Sequence, residues 1–212
     1  MRGSGFLAIW SDVEAARETD YLHWLMREHM QERLGVPGFL AARVWRAARP
    51  ATQPGTARFM ILYELEAPDV VASQAYLARL NAPTPWSQRV MPTLGNFVRG
   101  GGRRIASTGG GQGGAVAAWR FDDALPADGP ALVARLAASD RIAAVHLLQT
   151  DDQRTSIRTQ EKSLRSRDAS FAGLLLVEAL DAPAIRTALE TTALRLPEPA
   201  IYAPVFGLQI AR

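Results

Sequence analysis

The sequence predicts an α+β fold: two βαββαβ units in tandem that close on one another into a pseudo-dimeric, eight-stranded barrel-like core. Three observations predict it. The same order of strand and helix patterns occurs twice, a glycine-rich stretch divides the chain near its middle, and the strand patterns are apolar on both faces. The 212 residues suffice for two compact units of about 100 residues each. A hydrophobic content of 48% beside 21% charged residues excludes a disordered or collagen-like chain.

In the first unit, Phe6 to Trp10 is a short β-type run. Ser11-Asp12-Val13-Glu14 has the spacing of a capping box, which predicts a helix start there. The helix runs to about Leu34, with Leu22, Leu25, Met26, His29 and Arg33 on one face, and Val36-Pro37-Gly38 ends it. Phe39 to Arg46 and Arg58 to Leu65 read as strands across a Pro/Gly-containing connection. Pro68 opens a second helix to about Leu80, because proline fits the first helical turn. Asn81 to Pro85 breaks it, and Thr93 to Arg99 is the last strand.

Residues Gly100 to Gly114 are so rich in glycine that they read as a flexible connector, with little side chain to bury and much backbone entropy to lose. The expected organisation is residues 1–100 as the first unit, 101–114 as linker and 115–212 as the second unit. The second unit repeats the order: strand Ala115 to Phe121, helix Pro130 to Ser139, strands Arg141 to Gln149 and Phe171 to Leu180, a helix opened by Asp181-Ala182-Pro183 to about Leu194, and strand Tyr202 to Ile210. Trp119, Glu178 and Pro183 follow Trp10, Glu64 and Pro68 at similar spacings. The largest insertion is polar, from Thr150 to Ala169. In the strand Arg58 to Leu65, Phe59, Ile61 and Tyr63 alternate with Met60 and Leu62, so both faces need cover. Each unit's second face is expected to be covered by the other, the two sheets packed face to face.

Composition removes several chemistries. With no cysteine, there are no disulfides, thiolate nucleophiles, iron–sulfur clusters or cysteine-based zinc sites. The pI is about 9.8 with a net charge of only +3, because Lys162 is the single lysine among many arginines. Those arginines are dispersed, and the locally basic run Arg154 to Arg167 lacks interleaved aromatics, so nucleic acid is not an expected partner. No apolar stretch of membrane-spanning length and no signal-peptide pattern occur, which points to a cytoplasmic protein with no membrane partner. P-loop, dinucleotide-binding and serine-hydrolase motifs are absent. His23 and His29 are spaced onto different helix faces, and His146 lies on a strand, so neither a metal site nor any other cofactor is expected.

What remains is acid–base chemistry by side chains. His29 sits on the apolar helix stripe, where it acts as a general base or merely bonds to the adjoining loop. Glu28 or Glu32 is positioned to orient it. Arg43 and His146 occupy the second strands of their units as polar residues among apolar ones. Such residues need partners. Arg43 holds a ligand carboxylate or pairs with Glu64 or Glu66. Trp24, Trp45 and Tyr63 wall a pocket or pack as core.

Trp24, Glu28, His29, Glu32, Arg33, Leu34 and the following Pro37-Gly38-Phe39 resemble a signature of the dimeric α/β-barrel (ferredoxin-like) superfamily, specifically its EthD-like members. Gln31 stands where those relatives carry proline. Tyr76 to Trp86 is similar to tandem-repeat bacterial members of unassigned function. The resemblance covers most of the first unit by motif and the second by architecture. It implies cofactor-free monooxygenases, cyclases, isomerases and stress-related barrels as functional relatives, several moving a proton with a histidine between helix and sheet. The expectation is a cofactor-independent isomerase, cyclase or lyase acting on a small unsaturated or aromatic-derived carboxylic acid. Catalytic candidates are His29, Tyr63 and Glu28; substrate-binding candidates are Arg43, Arg58, Trp24 and His146. A ligand-binding or stress-response barrel and a cofactor-free monooxygenase are the alternatives. The chain is expected as a monomer with a pseudo-dimeric core or as a homodimer.

Overall fold

Eight strands form one closed, antiparallel barrel in the order β1-β3-β2-β8-β5-β7-β6-β4. The computed structural model describes residues 1–49, 53–165, 168–192 and 196–210. The strands are β1 (Gly5–Glu14), β2 (Phe39–Ala47), β3 (Thr56–Leu65), β4 (Gly95–Gly109), β5 (Ala115–Phe121), β6 (Ile142–Thr150), β7 (Gly173–Ala179) and β8 (Ala200–Gln209). Each unit contributes four strands in the order expected of a βαββαβ repeat. The inner faces of the two units cover one another across a shared interior, as expected, and the sheets are also continuous at their edges. They join edge to edge, β2 to β8 and β4 to β6, so backbone hydrogen bonds close the barrel and leave no free edge.

Strand alternation then sorts the core into three parts. On β1 and β3, Leu7, Ile9, Phe59, Ile61 and Tyr63 face the first unit's helices. Phe6, Ala8, Trp10, Met60 and Leu62 point into the barrel, where they meet Leu148, Leu174 and Leu176 from the second unit. Leu147, Leu175 and Val177 face the second unit's helices. The double-sided apolar pattern is thus covered twice, as its chemistry requires.

The helices lie outside the barrel. In the first unit, α1 (Glu18–Trp24) continues through a π-turn at Leu25–His29 into α2 (Met30–Leu34). A 3-10 turn at Pro68–Ala72 precedes α3 (Gln74–Leu80), because Ser73 is extended and caps α3 by accepting from the Tyr76 N–H at 3.3 Å. The short α4 (Pro85–Val90) follows, capped in the same way by Thr84. The second unit has α5 (Gly129–Ala137), α6 (Asp152–Thr155), α7 (Gln160–Ser163) and α8 (Ala182–Thr191). The expected end of the last helix, at 193–195, lies outside the described residues, as do 50–52 of the β2–β3 connection and 166–167 of the basic run.

Two local expectations are corrected. The capping-box residues Ser11 to Glu14 belong to β1, whose ladder with β3 continues to Glu14↔Thr56, and the Ser11 hydroxyl meets that of Tyr21 at 3.2 Å. A continuous ladder outweighs a local capping preference. The glycine-rich stretch is not a connector through 101–109. It is the second part of β4, which pairs with β1 up to Gly5↔Arg103 and with β6 from Gly102↔Thr150 onward. Glycine is required there for close approach: a methyl on Gly102 would lie 2.1 Å from the Gln149 carbonyl oxygen. Gly102→Ala is therefore expected to lower unfolding stability by about 1–3 kcal/mol. Gly110→Ala, whose methyl meets nothing within 4 Å, should change it by no more than about 0.5 kcal/mol in the same urea titrations.

Candidate functional site

Under the first unit's helix layer, the outer face of the barrel encloses a small cavity of about 20 Å³. The π-turn places His29 against it. An extra residue in the turn rotates the following helix. Met30 is consequently buried, while Met26, assigned to the inner face by regular helical spacing, is 38% exposed. His29 is only 3% exposed, and its ring lies 4.2 Å from that of Trp24. Trp24 is fixed in turn by donating its indole N–H to the Ser87 hydroxyl at 3.2 Å. β3 presents Tyr63 from the other side, braced edge-on by Phe39 at 5.5 Å.

Two buried polar atoms at this cavity, His29 Nδ1 and the Tyr63 hydroxyl, have no partner among the described residues. Burial, then the guanidiniums of Arg33, Arg165 and Arg79, hold His29 well below the ordinary imidazole range, so the ring is neutral at physiological pH. Burial likewise pushes the Tyr63 phenol up, and it stays a proton donor. A neutral base and a protonated donor therefore share one cavity.

The polar insertion closes this cavity. The α7 residue Glu161 forms a buried ion pair with Arg33. Arg99 on β4 donates to the Thr155 carbonyl at 3.0 Å and to the Tyr76 hydroxyl at 3.3 Å. No carboxylate lies within ion-pair distance of Arg99 among the described residues. Arg165 packs 4.0 Å over the Phe97 ring and pairs with Asp168. A segment of the second unit thus roofs the site of the first. Arg33 and the polarity of the insertion were visible in the sequence. Their meeting was not, since they are brought together only by barrel closure.

The remaining candidates are elsewhere. Glu28 does not orient His29; its carboxylate accepts from the Thr84 hydroxyl at 2.6 Å. Glu32 pairs with Arg79. Arg43 and His146 are brought together, but inside the barrel and around a protein carboxylate. Arg43 forms a fork to both oxygens of Glu178 at 2.6 and 2.8 Å; Glu64 lies 3.6 Å from Arg43, and His146 lies 3.7 Å from Glu178. Both terminal nitrogens of the Arg43 guanidinium are taken by Glu178 of the opposite unit, while Nε has no partner among the described residues, so the fork assigned to a ligand carboxylate holds a protein carboxylate instead. His146 Nδ1 and the Ser107 hydroxyl are 2.7 Å apart. Arg58 is at the other end of the barrel, bonded to Asp12 at 2.7 Å. Among the described residues no group of three or more His, Cys, Asp or Glu is arranged to hold a metal ion. A cavity this small admits a water-sized molecule and does not fit a haem.

No protein-family profile and no curated protein matches this sequence. Solved structures do. A proposed monooxygenase from Fusobacterium nucleatum shares 12% identity over 99% of this chain and 96% of that one, with a TM-score of 0.51. An anthrone oxidase-like protein shares 9% over 97% and 93%, at 0.53. Chlorite dismutase from Candidatus Nitrospira defluvii shares 8% over 97% and 92%, at 0.50. The fold is that of the dimeric α/β barrels. At these identities the likeness concerns fold alone, and it spans both units of the barrel. No described helix is long and apolar enough to cross a membrane.

Two stability predictions follow from the buried charges. Burial alone would raise the Glu178 carboxyl, but His146 and Arg43 outweigh it and hold it down at about 2. Its contribution is complete above the ordinary carboxylate range and is lost as pH falls toward 2. Arg43→Met should cost about 3–5 kcal/mol at neutral pH by stranding that carboxylate, and should flatten the acid decline. His29 stays neutral in the fold while the unfolded chain takes up a proton below about pH 6.5. Stability should therefore fall as pH drops through that value, and His29→Gln should remove this part of the slope in denaturation curves.

Proposed function

We propose that the His29–Tyr63 cavity is a proton-transfer site, and that the protein is a cofactor-independent isomerase, cyclase or lyase acting on a small unsaturated or aromatic-derived carboxylic acid. The observation that carries this reading is the pairing of an unpartnered neutral imidazole nitrogen with an unpartnered phenolic O–H in one closed, aromatic-lined cavity. His29 Nδ1 takes a proton from an acidic substrate carbon. The Tyr63 O–H donates to the enolate oxygen that develops as the C–H bond breaks. Arg99, rather than Arg43 or Arg58, holds the substrate carboxylate. Surrounding guanidiniums disfavour the imidazolium, so the proton returns promptly to the substrate at another atom. The cavity is small, and admission of a substrate requires the α6–α7 segment to move.

A second reading is favoured by the neighbouring structures named as monooxygenase and anthrone oxidase-like: the same anion, once formed, reacts with dioxygen.

Phenylpyruvate in deuterium oxide provides the test, with exchange at its benzylic carbon followed by NMR. The expected result is acceleration over buffer, reduced by about 100-fold or more in His29→Gln and less severely in Tyr63→Phe, with the exposed Met26→Ala unchanged. Because His29 is already neutral in the fold, activity should persist below pH 6.5 until the protein unfolds. Binding without exchange, or exchange indifferent to His29→Gln, overturns the proposal. Oxygen uptake with dithranol that depends on His29, without phenylpyruvate exchange, establishes the second reading instead.

A further inference from the structure

A second, much larger concavity of about 1210 Å³ opens at the end of the barrel opposite Arg43 and Glu178. Its origin is backbone chemistry. The β5–β8 ladder extends only from Val116↔Tyr202 to Ala118↔Ala200. Immediately before β8, Pro197 and Pro199 lack the N–H that would continue it. The strands part there, and Arg120, beyond the last β5–β8 pair, faces the opening with Arg58, Tyr202, Arg186, Leu189 and Ile201.

The polar groups at this end satisfy one another only in part. Both oxygens of Asp12 are used, one by Arg58 at 2.7 Å and the other by the Asn96 amide at 2.7 Å. Arg120 packs 5.1 Å over the Trp10 ring, and no carboxylate lies within ion-pair distance of it among the described residues. Partial burial, and then Arg58, lower its pKa, and the two guanidiniums have only the Asp12 carboxylate, bonded to Arg58, as an ion-pair partner among the described residues. The Tyr202 hydroxyl accepts from the Trp10 indole at 3.0 Å, which leaves its own proton free to donate. The group is 3% exposed, and burial raises its pKa, which keeps that proton in place. Arg120, Arg58 and the Tyr202 O–H therefore converge beside one fully used carboxylate, Asp12; farther along the cleft Glu198 pairs with Arg49 at 3.0 Å, and Arg186 and Glu190 also line it. Leu189 and Ile201 continue it as an apolar wall.

We propose that this cleft binds a bulky amphipathic carboxylate, its head group between Arg120, Arg58 and the Tyr202 hydroxyl and its apolar body along Leu189 and Ile201. The planar fork of Arg120, placed over the Trp10 ring, suits a carboxylate better than a point charge would. The head-group residues Arg58, Arg120 and Tyr202 face inward at the barrel's end, whereas His29 lies on the barrel's outer face; Leu94 and Phe97 line both cavities, and neither belongs to the proposed head-group site.

The test titrates the full-length protein with 1-naphthylacetate and its uncharged isostere 1-naphthylacetamide, by calorimetry and by NMR of the tryptophan indole N–H signals. The expected result is binding of the acid with a shift of the Trp10 signal, and binding of the amide weaker by about tenfold or more. Arg120→Gln, at an exposed position that should leave the fold intact, should weaken the acid by a similar factor and leave the amide unchanged. Tyr202→Phe should weaken the acid by a smaller factor, and His29→Gln should have no effect. Equal affinity for acid and amide, an unchanged affinity in Arg120→Gln, or shifts confined to Trp24 would overturn the proposal, as would absence of binding by the acid.

Discussion

Strands that are apolar on both faces set the terms for this protein. Burying a face removes hydrocarbon from water at roughly 25 cal/mol per Å², and a single four-stranded unit has helices for only one of its two faces. The other face is buried when the units share an interior, with Trp10, Met60 and Leu62 against Leu148, Leu174 and Leu176. Joining edges satisfies the backbone at the same time, because β2 and β4 find partners in β8 and β6. The two halves of the sequence therefore share one closed sheet and one interior.

Closure also decides where charge can be placed. Inside a barrel, water cannot solvate a stray guanidinium, so Arg43 must be met by carboxylates, and Glu178 of the opposite unit supplies the fork. The interior is apolar at its waist and ionic at both ends. One end is internally neutralised around Glu178. The other, at Arg58 and Arg120, carries more cation than anion and stands open where prolines stop the β8 ladder. Outside the barrel, the α6–α7 insertion spans from one unit to the other and seals the His29 cavity with Glu161. That seal screens the cavity from bulk solvent, which strengthens each electrostatic interaction beneath it.

Much of the architecture was legible in the residues, because hydrophobic period and breakers act locally. Phe59 to Leu65 alternates, Pro68 and Pro183 open helical turns, and the repeated order gives both units. Failures occurred where a longer-range interaction overruled a local preference. Ser11 to Glu14 has capping chemistry, yet β3 keeps it in a strand. The triple glycine at 100–102 has the composition of a linker, yet it serves the close approach of β4 to its neighbours. Helical spacing placed Met26 inward, and the π-turn turned it out.

For the site, the sequence by itself determined the inventory: a histidine on an apolar helix, an aromatic wall, no cysteine, and arginines dispersed along the chain. These follow from side-chain chemistry and from periodicities that need no knowledge of the partner strand. Tertiary structure decided which of them meet. His29 and Tyr63 share a cavity because helix and strand pack across one unit, whereas Arg43 is bound to Glu178 because the barrel closes across two. Glu28, adjacent to His29 in sequence, points away because neighbouring helical residues project about 100° apart. Contacts between residues more than a hundred positions apart, such as Arg33 with Glu161, depend on the closure of the sheet, and no local pattern encodes them.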